Sequence, residues 1–196
     1  MAGYAQEHIY YTLMELMNEK SLDEIKVYDI VCRGNVNRKT FYYHFHGMED
    51  LLKWRISVLM SALDLKDADS ANWKEKMRQW ICLIERNSRF FCAVFGSKYA
   101  ASVSSFLCAK MRPYISRFVE NCMKETEQNR AAPIVIETKF FNYIVDYYLK
   151  GTMSLVEEWI HGACEEQPED FLNIIDNLTK NTIFNVIDAF CPREGE

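Results

Sequence analysis

The sequence predicts an all-α protein: an N-terminal three-helix helix-turn-helix domain followed by a larger C-terminal helical bundle. Three observations carry this expectation. Apolar residues recur at three- and four-residue intervals in one segment after another. The few glycines and prolines, 7 and 4 in 196 residues, fall between those segments like punctuation. No run alternates apolar with polar and β-branched residues as a half-buried strand would.

The first helix is expected over residues 5–19, where Ile9, Leu13, Leu16 and Met17 share a face. A connector with Ser21 and Asp23 leads to a short helix over 26–33, with Ile30 and Val31 facing inward. Gly34-Asn35 is a turn signal, and Asn37 is a good N-cap for the next helix. That helix carries the run Arg38 to His46 and breaks at Gly47. Another begins at Met48 and extends to about Leu65. Further helices are expected over 71–86, 89–95, 97–110 and 113–127, the last opened by Pro113. Pro133 is expected to open a helix that runs to His161 and is capped by Gly162. Pro168 opens the final one, which repeats apolar residues from Phe171 to Phe190. The expected domains are residues 1–47 and 48–196.

The composition is that of an ordinary globular chain, 49% hydrophobic and 26% charged, large enough to bury a core without staples. Its seven cysteines (Cys32, Cys82, Cys92, Cys108, Cys122, Cys164 and Cys191) are odd in number and include no C-x-x-C pair. That spacing points to reduced thiols in a cytoplasmic protein rather than to disulfides or zinc. No apolar run reaches the 18 residues of a membrane span, and acidic residues interrupt the apolar ones near the N-terminus, unlike a signal peptide.

The net charge of −5 does not by itself suggest a polyanion partner, but its distribution does. From Arg33 to Met48 there are Arg33, Arg38 and Lys39, with His44 and His46 besides, and no acid. A small basic island on an acidic body suits contact with a polyanion through one face. On a helical wheel started at Asn37, Phe41, Phe45, Arg38 and Tyr42 fall between about 40° and 140°. Lys39, Tyr43, Thr40 and His44 fall between about 200° and 340°. One face is thus anchored by two phenylalanines, while the other offers an ammonium, a phenol, a hydroxyl and an imidazole. Such groups suit phosphate oxygens and base edges.

The segment DIVCRGNVNRKTFYYHFHGMEDLL resembles the helix-turn-helix signature of the TetR family of transcriptional regulators, matching it at Ile30, Val36, Thr40, Tyr42, His44, Phe45, Glu49 and Leu51. The resemblance implies that Arg38 and Lys39 read base edges. It also implies that Thr40, Tyr42, Tyr43 and His44 touch backbone or bases of a double-stranded operator. It further implies a homodimer formed by the last two helices and a small-molecule effector site among the C-terminal helices. The chain departs from the pattern in carrying Gly34-Asn35 for Ala-Gly, Lys26 for Thr, and Met48 for a phosphate-holding Lys; it also lacks a basic N-terminal arm. Those departures imply weaker sequence-independent affinity. VNRKTFYYHFHGMEDLLKW and YYLKGTMSLVEEWIHGACEEQPEDF are similar to a subgroup that includes regulators of dihydroxyacetone kinase operons, some of which act as co-activators with a partner regulator.

The bulky apolar residues of the C-terminal part can fill a core or line a pocket. Trp80, Phe106 and Phe141 are the candidate pocket residues. Phe171, Ile175, Leu178, Val186 and Trp159 are the candidate dimer interface, supplied by two long striped helices able to form a four-helix contact between copies. His44 and His46, two apart on a helix, face different ways and make a poor metal pair, and no cofactor is expected. No G-x-S-x-G, Walker or dinucleotide-binding loop is present, which argues against an enzyme. The competing expectation is a helical dimeric interaction module, or co-activator, that no longer binds DNA alone.

Overall fold

The computed structural model describes residues 2–63, 65, 68–128, 134 and 136–190. Among them are helices and connections and no strand. The helices are α1 (Ala2–Leu16), α2 (Val27–Arg33), α3 (Arg38–His44), α4 (Met48–Ser61), α5 (Trp73–Arg86), α6 (Ser88–Phe95), α7 (Ala100–Gln128), α8 (Thr138–His161) and α9 (Pro168–Phe190).

Helices α1, α3 and α4 end earlier than expected, at Leu16, His44 and Ser61 rather than near residues 19, 46 and 65, and α7 and α8 differ more. Pro113 opens no new helix but lies inside α7. A proline there forfeits one backbone bond and crowds the preceding turn. The helix nevertheless continues, because Val103, Leu107, Met111, Ile115, Phe118, Val119 and Cys122 form one uninterrupted buried stripe along it. Tertiary burial outweighs the local penalty. Helix α8 begins at Thr138; Pro133 lies outside the described residues. Ile134 precedes the helix, and its backbone N–H donates to the Glu127 carboxylate at 3.3 Å, which fastens the connector to α7.

The chain folds into two compact units rather than dividing at Gly47. One comprises Met1–Ala62 with Asn87–Leu107, the other Leu63–Arg86 with Cys108–Glu196. In the first unit, Ile9 and Leu13 of α1, Ile30 of α2, Phe41 and Phe45, Leu51, Leu52 and Ile56 of α4, and Phe90, Phe91 and Val94 of α6 are buried. Aromatic edges join its helices: Tyr10 meets Phe90 at 5.8 Å, and Phe45 meets Trp54 at 5.5 Å between ring centroids. Arg55 lays its guanidinium over Tyr10 at 4.2 Å and pairs with Glu7 at 3.7 Å. Helix α6 and the corner after it are fastened to the same unit. Arg89 donates to the Met14 carbonyl, and Lys98 donates its backbone N–H to Asp23 and its ammonium to the Asp23 carbonyl.

In the second unit α5 and α8 both pack on α9. Trp73 stacks on Phe118 at 4.1 Å, and Trp159 stacks on Phe171 at 5.0 Å. Arg78 bridges to Glu169 and Lys74 to Asn173, so α5 and α9 run antiparallel.

Candidate nucleic-acid interface

The local chemistry of α2 fixes how its first residue is used. Lys26 is the N-cap, in extended conformation, and a lysine side chain cannot accept a backbone bond. Asp29 takes over that task, accepting the Lys26 N–H at 2.8 Å and the Lys20 ammonium at 2.8 Å. Lys20 and then the Lys26 N–H hold the Asp29 carboxyl below its ordinary range. The Lys26 ammonium is left exposed.

The turn into α3 is built from Gly34 and Asn35. Asn35 takes the left-handed conformation, φ 48°, which a short polar side chain tolerates. Gly34 is required for a different reason. A Cβ on it would lie 2.9 Å from the Thr12 hydroxyl oxygen and 3.3 Å from the Thr12 methyl. Helix α1 thus closes on the turn, and His8 adds a bond from its Nε2–H to the Gly34 carbonyl at 2.8 Å.

Helix α3 follows the expected wheel as far as His44, and Phe45 turns inward from the extended residue that ends it. Asn37 caps it by accepting the Lys39 N–H at 2.8 Å. Phe41 and Phe45 are buried and touch each other, 5.8 Å between rings. On the outer side Arg38 and Lys39 are exposed, Thr40 and His44 are half-buried, and Tyr43 is 84% exposed. Tyr42, 45% exposed, lies at the margin with the Arg38 guanidinium 5.5 Å above its ring. All six expected contact residues therefore lie on one short helix with their side chains at least partly in solvent.

The charges around this helix sort themselves by pairing. Arg33 is held bidentately by Glu19, at 2.8 and 2.9 Å, and is no free cation. Lys53 pairs with Glu49, and Lys20, Arg55, Arg89 and Lys98 are engaged as described above. Among the described residues of this unit, Lys26, Arg38 and Lys39 are the basic side chains in no ion pair and no hydrogen bond from the side chain. The basic island keeps its size, but Lys26 replaces Arg33 in it. Sequence reasoning treated Lys26 as a loss, and it passed over Tyr28, which is 69% exposed on α2. The signal for both was their place in α2; which acids would neutralise the neighbouring cations was visible only in three dimensions.

Met48 is buried in the core, so this position offers nothing to solvent. The start of α4 carries Glu49 and Asp50 instead, and Asp50 accepts the backbone N–H of His46 at 3.0 Å. An anion arriving there would meet carboxylates.

The expected interface and pocket residues lie elsewhere and divide. Phe171, Ile175 and Trp159 are buried within the chain's own core, with the Trp159 indole N–H donating to the Glu166 carbonyl. Phe171 and Ile175 lie on α9, which packs against α5 and α8, and Trp159 of α8 stacks on Phe171, so these three side chains are covered within a single copy. Leu178 does face outward, 54% exposed, and Val186 is half-buried. Among the described residues of this unit, the large apolar groups turned outward are Ile174, Leu178 and Phe190 of α9 and Phe140, Tyr143 and Tyr147 of α8. Of the pocket candidates, Trp80 is completely buried. Phe141 lines an open cleft of about 360 Å³ with Met123, Ile134, Glu120, Lys124 and Glu127. Phe106 belongs to the first unit, under the Lys53 ammonium at 5.8 Å. Among the described residues no cluster of His, Cys, Asp and Glu could hold a metal ion, and no helix is long and apolar enough to cross a membrane.

Residues 9–53 match the family described as bacterial regulatory proteins of the tetR family, and residues 71–181 match its transcriptional regulator C-terminal region. No curated protein matches the chain. Among solved structures, the dihydroxyacetone kinase operon activator DhaS shares the fold, with a TM-score of 0.63 over 95% of this chain and 97% of that one, at 19% identity. The second of the two matches alone spans more than half the sequence, and together they cover both compact units: the chain belongs to the TetR family of bacterial transcriptional regulators.

Proposed function

We propose that the chain acts as a homodimer whose paired α3 helices read a pseudo-palindromic operator, and that a small-molecule effector held by the C-terminal helices controls it. The observation that carries this reading is the outer face of α3. A helix pinned by Phe41 and Phe45 presents Lys39, Thr40, Tyr43 and His44 to solvent, beside the unpaired cations Lys26 and Arg38. Major-groove recognition needs base-edge donors flanked by phosphate-binding charges. Two such helices about one DNA turn or more apart would read the two half-sites. The exposed apolar groups of α8 and α9 supply a surface for the second copy, and an effector would act by favouring one arrangement of the pair over another.

A second reading is that the chain is a co-activator that needs a partner regulator to reach DNA. The buried Met48, the acidic start of α4 and the small number of unpaired cations support it. So does the name of the solved relative, an operon activator. One experiment separates the two. The purified protein is offered a random duplex library, and retained sequences are titrated at several salt concentrations. Enrichment of a two-fold symmetric site, with affinity falling steeply as salt rises, is expected on the first reading. A dimeric protein that retains no duplex would leave only the second.

A further inference from the structure

The second unit carries an open cleft of about 360 Å³ along the last turns of α7. That volume falls at the lower end of the range for small-molecule sites, about 300–1,000 Å³. One wall is a single face of α7, since Glu120, Met123, Lys124 and Glu127 recur at intervals of three and four residues. The opposite wall is Ile134, in the connector, and Phe141, in the first turn of α8. The two walls are fastened to each other. Arg112 of α7 bonds to Asp146 and Asn142 of α8, and the Glu127 carboxylate accepts the Ile134 N–H at 3.3 Å.

The lining divides by chemistry. Met123, Ile134 and Phe141 are apolar and half-buried. The other three residues place one cation between two acids along α7. Glu120 is paired with Arg117, one turn back on the same helix, at 3.3 Å. One oxygen of Glu127 is used by Ile134, and the other has no partner among the described residues. The exposed Lys124 ammonium has none among them either, and it forms no ion pair with Glu127 three residues on. An unpaired cation and a half-used carboxylate thus stand side by side on one helix face, about 5–6 Å apart at Cβ, next to an apolar lining.

We propose that this cleft is the effector site, and that the effector is a zwitterionic α-amino acid with an apolar side chain. The assignment rests on the reading that the C-terminal helices hold an effector. The carboxylate of such a molecule meets Lys124 and its ammonium meets Glu127. Both groups hang from one carbon, which suits two charged side chains that are neighbours on a helix. The ligand's side chain covers Met123, Ile134 and Phe141, where the thioether adapts its shape and the ring offers an edge or a face. Simpler molecules leave part of the lining unmatched. A hydrocarbon offers nothing to the charges. A plain carboxylate gains Lys124 but lies close to two acids, and a plain amine adds a second cation beside Lys124.

The Met123 methyl resonance of protein carrying ¹³C in its methionine methyl groups reports on the cleft, and Met123→Leu assigns it. Phenylalanine is the probe. Phenethylamine, hydrocinnamate and glycine are the controls, lacking in turn the carboxylate, the ammonium and the apolar side chain. A saturable movement of the Met123 signal is expected with phenylalanine. Phenethylamine and hydrocinnamate should each bind about two- to fivefold more weakly, the range for ion pairs at an exposed rim, and glycine should leave the signal still. Lys124→Gln should erase the preference over phenethylamine and keep that over hydrocinnamate. Glu127→Gln, whose amide oxygen can still accept the Ile134 N–H, should do the reverse. A signal that stays still with phenylalanine, or equal affinity for phenylalanine and both charged controls, would overturn the assignment. So would variants that weaken all three aromatic compounds alike. Affinity for the selected duplex is followed in parallel. Saturable Met123 shifts with unaltered DNA affinity would refute the effector reading for this cleft. A compound that releases DNA while the Met123 signal stays still would refute this assignment and leave the effector reading standing.

Discussion

Replacing Gly34 by alanine puts a methyl group into space that α1 already occupies. The new Cβ would stand 2.9 Å from the Thr12 Oγ1, 3.1 Å from the Ile30 carbonyl oxygen and 3.3 Å from the Thr12 methyl. The backbone itself raises no objection, since Gly34 has φ −78° and ψ −1°, which alanine adopts freely. Overpacking of this kind costs about 1–3 kcal/mol. The loss of a flexible glycine from the unfolded chain returns about 0.4–1 kcal/mol. A net destabilisation of about 1–2 kcal/mol is therefore expected for Gly34→Ala. Thr12→Ala removes two of the three close atoms, leaving the Ile30 carbonyl oxygen, and also the hydroxyl's bond to the His8 carbonyl, a bond worth about 1 kcal/mol. In the Thr12→Ala background only the Ile30 carbonyl contact remains, so Gly34→Ala should be close to neutral. A double-mutant cycle by urea unfolding, followed by circular dichroism, should give a favourable coupling of about 1–3 kcal/mol between the two alanines. Additivity within about 0.5 kcal/mol would show that α1 yields at no cost, and the steric explanation for Gly34 would fail.

Other outcomes follow from the same structure. Lys26→Ala should reduce the salt slope of DNA binding by about 0.9 per protomer without changing the preferred sequence, whereas Lys39→Ala should alter that preference; both are read from titrations at several salt concentrations. Ile174→Asp with Leu178→Asp should give folded monomers in analytical ultracentrifugation, because both side chains face outward. A double variant that remains dimeric would remove this face from the interface. Burial first, then the neighbouring Glu125 and Asp69, push the Cys122 thiol up to about 12, while Cys32 is exposed. Iodoacetamide at pH 8 should therefore modify Cys32 in the native protein and leave Cys122 intact until denaturant is added, as peptide mass spectrometry would record.

How far the sequence could be read varied with the range of the chemistry involved. The helix-turn-helix was legible to the level of single side chains, because a cap, a turn residue and a buried face are decided within a few residues. Asn37 caps α3, Asn35 takes the left-handed turn, and Phe41 and Phe45 face inward, all as their positions require. Arg33 was misjudged because its neutralising partner, Glu19, is distant in sequence. Pro113 was misjudged because a local helix breaker was outweighed by a buried stripe that spans both sides of it. The stripe on α9 shows a further limit. A 3.6-residue period tells which side of a helix is apolar, but not whether that side meets its own chain or another copy. Helix α9 has both kinds of apolar side chain, Ile175 turned inward and Ile174 outward, one residue apart.

The first compact unit is not continuous in sequence, since Asn87–Leu107 folds with Met1–Ala62. For anyone wishing to transplant operator specificity, this rules out the simplest cloning strategy. A fragment cut after the fourth helix would leave Asp23 without Lys98 and the Met14 carbonyl without Arg89, and would strip Phe90, Phe91 and Val94 from its core. Chimeras joined at a single crossover should yield insoluble or unfolded heads. If α3 reads the operator as proposed, new preferences are better installed by exchanging side chains on its outer face within the intact protein.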